Sequence, residues 1–211
     1  MKYISKDFWV RSYANWLDDR FDKKYGISTQ TVLTQDQLRT NSQFQKNATA
    51  YQAAWCLNIK RLITVVAKIV DLKNYSFVDV GCGMGKPCFY ASKYPFQKIS
   101  GYDFDPSLVQ KAEYNLQSAK KKHPLDISFF VADATEYKLP ERPTLIFMFN
   151  PFDSLVMDKF LKLNVNLIQN SALIAYSNDR ERDTLLNFGM KPVFEDRQRK
   201  ISLWNYETRV N

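Results

Sequence analysis

The spacing of apolar residues changes character at about residue 75. Before it, the period is helical. Trp9, Tyr13, Trp16, Leu17 and Phe21 recur with charge between them over residues 6–24, predicting an amphipathic helix that Gly26 stops. Residues 27–47 are polar with little periodicity, which predicts a loop or lid. Residues 49–71 read as a second helix, with Trp55, Ile59, Leu62, Ile63, Val66 and Ile69 on one face. From Tyr75 onward, short apolar runs alternate with helical stretches. The runs are 76–80, 98–103, 126–132, 144–150 and 171–177, and the helical stretches are 86–94, 107–122 and 154–168. Continuous Val/Ile/Phe runs separated by helices predict right-handed βαβ units on a buried parallel sheet. After a short helix at 180–187, residues 190–196 and 200–210 read as two strands joined by Arg197, Gln198 and Arg199, an antiparallel hairpin closing the sheet.

The fold class is therefore α/β, a doubly wound, mostly parallel sheet. Two regions are expected: residues 1–48 as a helical extension with a lid-like segment, and 49–211 as the sheet domain. No run approaches the ~18 apolar residues of a membrane span, and the first 16 residues lack a signal-peptide core, so a cytoplasmic protein is expected. Cys56, Cys82 and Cys88 are an odd set without CxxC spacing, which supports neither disulfides nor zinc. His123 is the only histidine and lies in a Lys-Lys-Lys-His-Pro run, read as a solvated helix end. A Ser-His-Asp triad would have to use it, and no metal site is expected.

The first strand of the sheet runs into Val78-Asp79-Val80-Gly81-Cys82-Gly83-Met84-Gly85. Three alternate glycines let the backbone turn tightly and approach a ligand closely. The spacing is neither G-x-G-x-x-G nor a Walker loop. The second strand ends at Asp103, 18 residues past Gly85, and the third runs out at Asp133. An acid at the first position can accept ribose hydroxyls, and one at the second an adenine amino group. Both acids could equally serve as turn or cap residues. All three tips belong to the carboxyl edge, where open α/β sheets bind ligands.

These segments, VDVGCGMGKPCFYAS, GYDFDPSLVQKAEYNL and FVADA, resemble the first three motifs of class I S-adenosylmethionine-dependent methyltransferases. The resemblance covers roughly residues 49–207. It implies a Rossmann-like seven-stranded sheet of order 3-2-1-4-5-7-6 with S-adenosyl-L-methionine as cofactor. It implies that Asp79 and the loop of Gly81, Cys82, Gly83 and Gly85 hold the methionine part. Asp103 with Phe104 would hold the ribose, and Asp133 with Ala134 the adenine. The string FDKKYGIST is also similar to a poorly characterised bacterial subgroup. The fourth tip, Phe149-Asn150-Pro151-Phe152-Asp153, is similar to the N-P-P-[FYW] motif of enzymes that methylate nitrogen on nucleobases or glutamine, but lacks one proline. That likeness makes Asn150, Pro151 and Phe152 candidate catalytic residues, with Asn150 also beside the cofactor. The alternative is a strand-ending Asn-Pro turn that caps the next helix. Tyr51 and Gln52 are expected to open the helix before the first strand, and Tyr51, a further candidate catalytic residue, to cover the cofactor. Cys82 and Cys88 are read as packing residues.

Charge bears on the partner. Net charge is +8, and residues 1–70 carry 11 Lys/Arg against 5 Asp/Glu, whereas the rest is nearly balanced. A local basic surface points to an anionic partner, RNA or an acidic protein face. The leading expectation is N-methylation of a macromolecule, protein or RNA. A methyltransferase of small amines or metabolites and a non-catalytic nucleotide- or RNA-binding module are the alternatives. Oligomeric state is not readable from the sequence.

Overall fold

The computed structural model describes residues 6–39 and 45–206. Parts of three sequence readings, at residues 1–5, 40–44 and 207–211, lie outside the described residues.

Strands β1 (Ser76–Val80), β2 (Ile99–Asp103), β3 (Ile127–Val131), β4 (Thr144–Phe149) and β5 (Ala172–Ser177) pair in parallel. Strands β6 (Met190–Asp196) and β7 (Ile201–Tyr206) form an antiparallel hairpin, and β7 runs antiparallel to β5. The order is β3-β2-β1-β4-β5-β7-β6, as expected.

Successive strand residues point to opposite faces, so Phe77, Leu145 and Phe147 pack against one helical layer and Val78, Ile146 and Met148 against another. The first layer holds α1 (Lys6–Tyr25), α2 (Cys56–Val66), α3 (Lys86–Ala91) and α4 (Pro106–Lys120). The second holds α5 (Ser154–Leu163), α6 (Val165–Asn170) and α7 (Arg182–Asn187). Phe21, Tyr25 and Ile27 share one core with Phe77 and Leu145, so the N-terminal segment is built into the sheet domain's packing.

Four local readings need correction. The predicted helix over 49–71 is confined to α2; residues 49–55 are extended, with Tyr51 bridged to Leu33 and Ala48 to Phe152, and Ile69 is exposed. Tyr51 and Gln52 therefore do not open a helix. The helix expected over 154–168 is broken at Asn164, whose buried side chain accepts from Leu139 N (2.8 Å) and donates to Phe160 O (3.0 Å). The helix expected over 86–94 stops at Ala91.

The largest difference is in α1, where Trp9, Tyr13 and Trp16 face solvent. The inward face is Ala14, Asp18, Phe21, Asp22 and Tyr25. Two buried carboxylates on that face are partnered, Asp18 from distant parts of the chain and Asp22 from the loop that follows the helix. Asp18 accepts from Cys56 N (2.9 Å) and lies 3.3 Å from Lys86 Nζ, and Asp22 accepts from Thr29 N (2.9 Å) and the Thr29 hydroxyl. Buried charge is tolerated where it is paired in this way.

Candidate cofactor and active site

The carboxyl edges of β1, β2, β3 and β4 border a cleft of about 870 Å3, open to solvent at its mouth. Its floor is the turn after β1. Gly81, Gly83 and Gly85 have φ of +73°, +53° and +88°, values that L side chains adopt at a cost. Space adds a second constraint. A Cβ on Gly83 would lie 2.0 Å from Tyr51 Cε2, and one on Gly81 2.5 Å from Pro151 Cβ. Gly85 leads straight into α3, with Pro87 in its first turn.

Asp103 is buried at the tip of β2 and accepts from Gly83 N (2.9 Å) and Asp105 N (3.0 Å). It thus fixes the glycine turn from the neighbouring strand. Burial pushes its carboxyl up to about 6, although the backbone bonds oppose the shift. Asp133, at the β3 tip, accepts from Thr135 N and the Thr135 hydroxyl, both at 2.8 Å. Phe104 and Ala134 line the cleft beside these acids, and Cys82 lines it from the turn. Burial and the carboxylates of Asp103 and Asp79 raise the Cys82 thiol well above its ordinary value, which suits packing and not nucleophilic work.

Three buried polar atoms of residues lining this cleft are left without a hydrogen bond: Asp79 Oδ2, Lys86 Nζ and the Tyr102 hydroxyl. Asp79 is 1% exposed, and burial together with the Asp103 charge raises its carboxyl well above the ordinary value. Lys86 is equally buried, with only the Asp18 carboxylate within ion-pair distance. Orphaned buried groups are rare and mark places where a ligand completes the pairing. One orphan acid and one orphan ammonium beside a glycine turn match the α-ammonium and α-carboxylate of a bound amino acid. The residues thus fit the methionine part of S-adenosylmethionine. Lys86 escaped the sequence reading; its one signal was its place directly after the third glycine.

Residues 27–39 and 45–54 strap the cleft. Asn115 holds Ser28 at both its N–H and its carbonyl, Arg39 N donates to Asp105 Oδ2 (2.6 Å), and the Tyr51 hydroxyl donates to Thr29 O (2.9 Å). Leu38 and Tyr51 pack with Met84 and Leu108 over the glycine turn. Burial drives the Tyr51 phenol far above its usual value, so it stays protonated.

The fourth tip differs from the sequence reading. Asn150 stands at φ +43° and its Oδ1 accepts from the Tyr176 hydroxyl (3.0 Å). The Asn150 carbonyl accepts from the Thr49 hydroxyl, and the Pro151 carbonyl from Thr49 N (3.0 Å). Asp153 caps α5 and binds the Asn47 amide at 2.6 Å. Phe152 is buried against Phe160 and also lines the cleft. The oxygens expected to receive a target amino group are thus engaged by the strap and by Tyr176. Asn150, Pro151 and Phe152 anchor the strap, the capping alternative weighed for this tip. Tyr51, Asp79, Gly81, Cys82, Asp103, Phe104, Asp133, Ala134, Asn150, Pro151 and Phe152 all meet at the cleft.

Among the described residues there is no His/Cys/Asp/Glu group able to hold a metal, and no helix long and apolar enough to cross a membrane. No curated protein matches the sequence. Residues 77–180 match a family described as "Methyltransferase domain". Among solved structures, the ribosomal protein L11 methylase of Lactobacillus delbrueckii subsp. bulgaricus is similar, with 14% identity, 71% of this chain and 79% of that chain covered, and a TM-score of 0.53. A candidate RNA methyltransferase of Pyrococcus horikoshii has 15% identity, covers 72% and 83%, and also reaches 0.53. The methyltransferase domain of a bacterial Hen1 protein has 17% identity, covers 71% and 99%, and reaches 0.50. At such identities the likeness carries the fold, while the matched domain and the orphaned acid–ammonium pair carry the cofactor. The chain belongs to the class I S-adenosylmethionine-dependent methyltransferases.

Proposed function

We propose that this enzyme methylates a nitrogen atom of a macromolecule, inserted end-on into the strapped cleft. The carrying observation is the inventory of titratable groups there. Among the described lining residues these are Tyr51, Asp79, Cys82, Lys86, Tyr102, Asp103 and Asp133, with neither His nor Glu. Asp79, Asp103 and Asp133 are assigned to the cofactor's ammonium, ribose and adenine, and Lys86 to its carboxylate. Tyr51, Cys82 and Tyr102 are held protonated by burial. No base is left over to deprotonate a hydroxyl or carbon acid. A neutral amine carries its own lone pair and needs none before attack.

When bound, S-adenosylmethionine supplies a methyl group already activated on a sulfonium. The protein's own part is positioning and exclusion of water. Asp79 and Lys86 grip the amino-acid end, Asp103 holds the middle, and the strap packs over the glycine turn with Tyr51 against Gly83. Cations concentrated in the first third of the chain support a macromolecular target. The strap's packing along the cleft favours a second reading, a small amine able to enter whole.

The test is methyl transfer from labelled cofactor into a cell extract, followed by fractionation into RNA, protein and small molecules. Label removed by RNase or protease supports a macromolecular target. Label confined to small molecules establishes the second reading, and acid-stable O- or C-linked methyl groups would overturn the nitrogen assignment.

A further inference from the structure

Helix α1 buries Asp18 and Asp22 while it exposes Trp9, Tyr13 and Trp16, against ordinary amphipathicity. Trp9, Tyr13, Trp16, Arg20 and Lys23 follow one another at i, i+4, i+7, i+11 and i+14, so they form a single outward stripe. Trp9, Tyr13 and Trp16 remain 62%, 56% and 48% exposed. The rings of Tyr13 and Trp16 stack at 5.9 Å with 21° between planes, and the Arg20 guanidinium lies 4.8 Å from the Trp16 ring centre. This column of flat groups contains no aliphatic residue.

The stripe runs into a cluster of lysines contributed by four helices. Lys24 is in the last turn of α1, Lys60 is on α2, Lys93 follows α3 and Lys122 follows α4. Their proximity is direct. His123 Nε2 lies 3.2 Å from Lys24 O, and Lys122 Nζ is 3.7 Å from where a Gly26 Cβ would be. Burial, with Lys24 and Lys60 close by, holds Lys93 below the usual lysine value. All four lysines are exposed, and none has an ion-pair partner among the described residues. The nearest acid on the stripe's flank, Asp19, is engaged by Gln30. Helices α3 and α4 begin at the cleft and end at this cluster, so the surface is separate from the site of chemistry.

We propose that this face is a docking surface for single-stranded nucleic acid, with bases stacking on Tyr13 and Trp16 and phosphates lying along Arg20, Lys24, Lys93 and Lys122. Stacking platforms beside unneutralised cations are what an unpaired strand requires: bases with exposed π-faces and a phosphate at every step. A duplex would offer the lysines their phosphates but leave the aromatics unused. The assignment names the class of macromolecule in the methyl-transfer reading and to that extent rests on it. Binding is measured without turnover, so either can fail alone.

The experiment is fluorescence anisotropy of end-labelled 12-nucleotide strands, poly-U RNA and poly-dT DNA, with a duplex of equal length, on the full chain from 50 to 300 mM salt. Single strands should bind more tightly than duplex, with affinity falling steeply with salt; RNA over DNA would show that the 2′-hydroxyl is read. Tyr13→Ala/Trp16→Ala should weaken binding by about 5- to 100-fold. Lys24→Glu/Lys93→Glu/Lys122→Glu should weaken it further and flatten the salt slope. Both variants should keep wild-type affinity for S-adenosylhomocysteine, which shows that they fold. No binding at 50 mM salt, or binding indifferent to both variants, overturns the proposal. So does a duplex preference, Trp16-dependent association with phosphatidylserine vesicles in place of strands, or Trp16-dependent self-association in sedimentation. Methyl label found only on protein, with strand binding intact, would sink the methyl-transfer target and leave the docking surface standing.

Discussion

Replacing Lys86 with methionine removes one charge from the cleft while nearly conserving volume. The lysine is 1% exposed, sits 3.3 Å from Asp18 Oδ2 and makes no hydrogen bond of its own. If its missing partner is the cofactor carboxylate, the loss is one charge-assisted hydrogen bond. That amounts to about 1.5–3 kcal/mol, or a 10- to 150-fold rise in Kd. The substitution also leaves Asp18 buried without its cation, which costs about 3–5 kcal/mol of stability. The comparison is therefore made in an Asp18→Asn background, where Asp18→Asn/Lys86→Met removes the carboxylate that pairs with Lys86 along with the cation. Calorimetry with S-adenosylhomocysteine reads the effect, and 5′-methylthioadenosine, which has the nucleoside but not the amino-acid end, is the control. The double variant should weaken S-adenosylhomocysteine and leave methylthioadenosine unchanged. Equal weakening of both ligands, or an S-adenosylhomocysteine affinity within twofold of Asp18→Asn, would falsify the assignment of Lys86 to the carboxylate.

Gly83→Ala should abolish cofactor binding and lower Tm, because its Cβ would meet the Tyr51 ring at 2.0 Å from a left-handed backbone; wild-type Tm and affinity would show that the strap yields easily. Asp103 titrates at about 6 in the folded apo protein against 3.8 for the free side chain, so the folded state binds its proton more tightly. Its contribution to apo stability is then present below pH ~4 and lost as pH rises to about 6, by at most ~1.4 kcal/mol per unit. The difference in Tm between wild type and Asp103→Asn across that window measures it, and a flat difference contradicts the burial argument. Cofactor affinity should move the opposite way, falling as pH drops below about 6, because a protonated Asp103 loses its charge. Asn150→Ala should cost about 1–3 kcal/mol by freeing Tyr176 and straining a left-handed residue, with turnover per folded molecule unchanged. A hundredfold drop in that turnover at constant cofactor affinity would return Asn150 to the catalytic role.

Local pattern was enough for the sheet and for most of the cofactor floor. Runs such as SFVDV and TLIFMF have no other stable place than a strand covered on both faces, and glycines alternating after the first of them leave only a ligand-hugging turn. The acids at the β2 and β3 tips followed from the same spacing. Wherever a partner came from far along the chain, periodicity misled. Aromatic spacing in α1 marked a real stripe but could not say which way it faced, because that depends on Lys86 and Cys56 receiving Asp18 across 68 and 38 residues. The start of α2 was set by Leu33 and the β4 tip drawing residues 48–51 into bridges, which held them extended against their helical pattern. The Asn-Pro-Phe tip looked like a grip for a substrate, and only the tertiary structure showed its oxygens engaged by Thr49 and Tyr176. That Asp79 and Lys86 each carry a buried polar atom without a hydrogen bond was likewise invisible in the string. Burial creates it, and burial is a property of the whole packed chain.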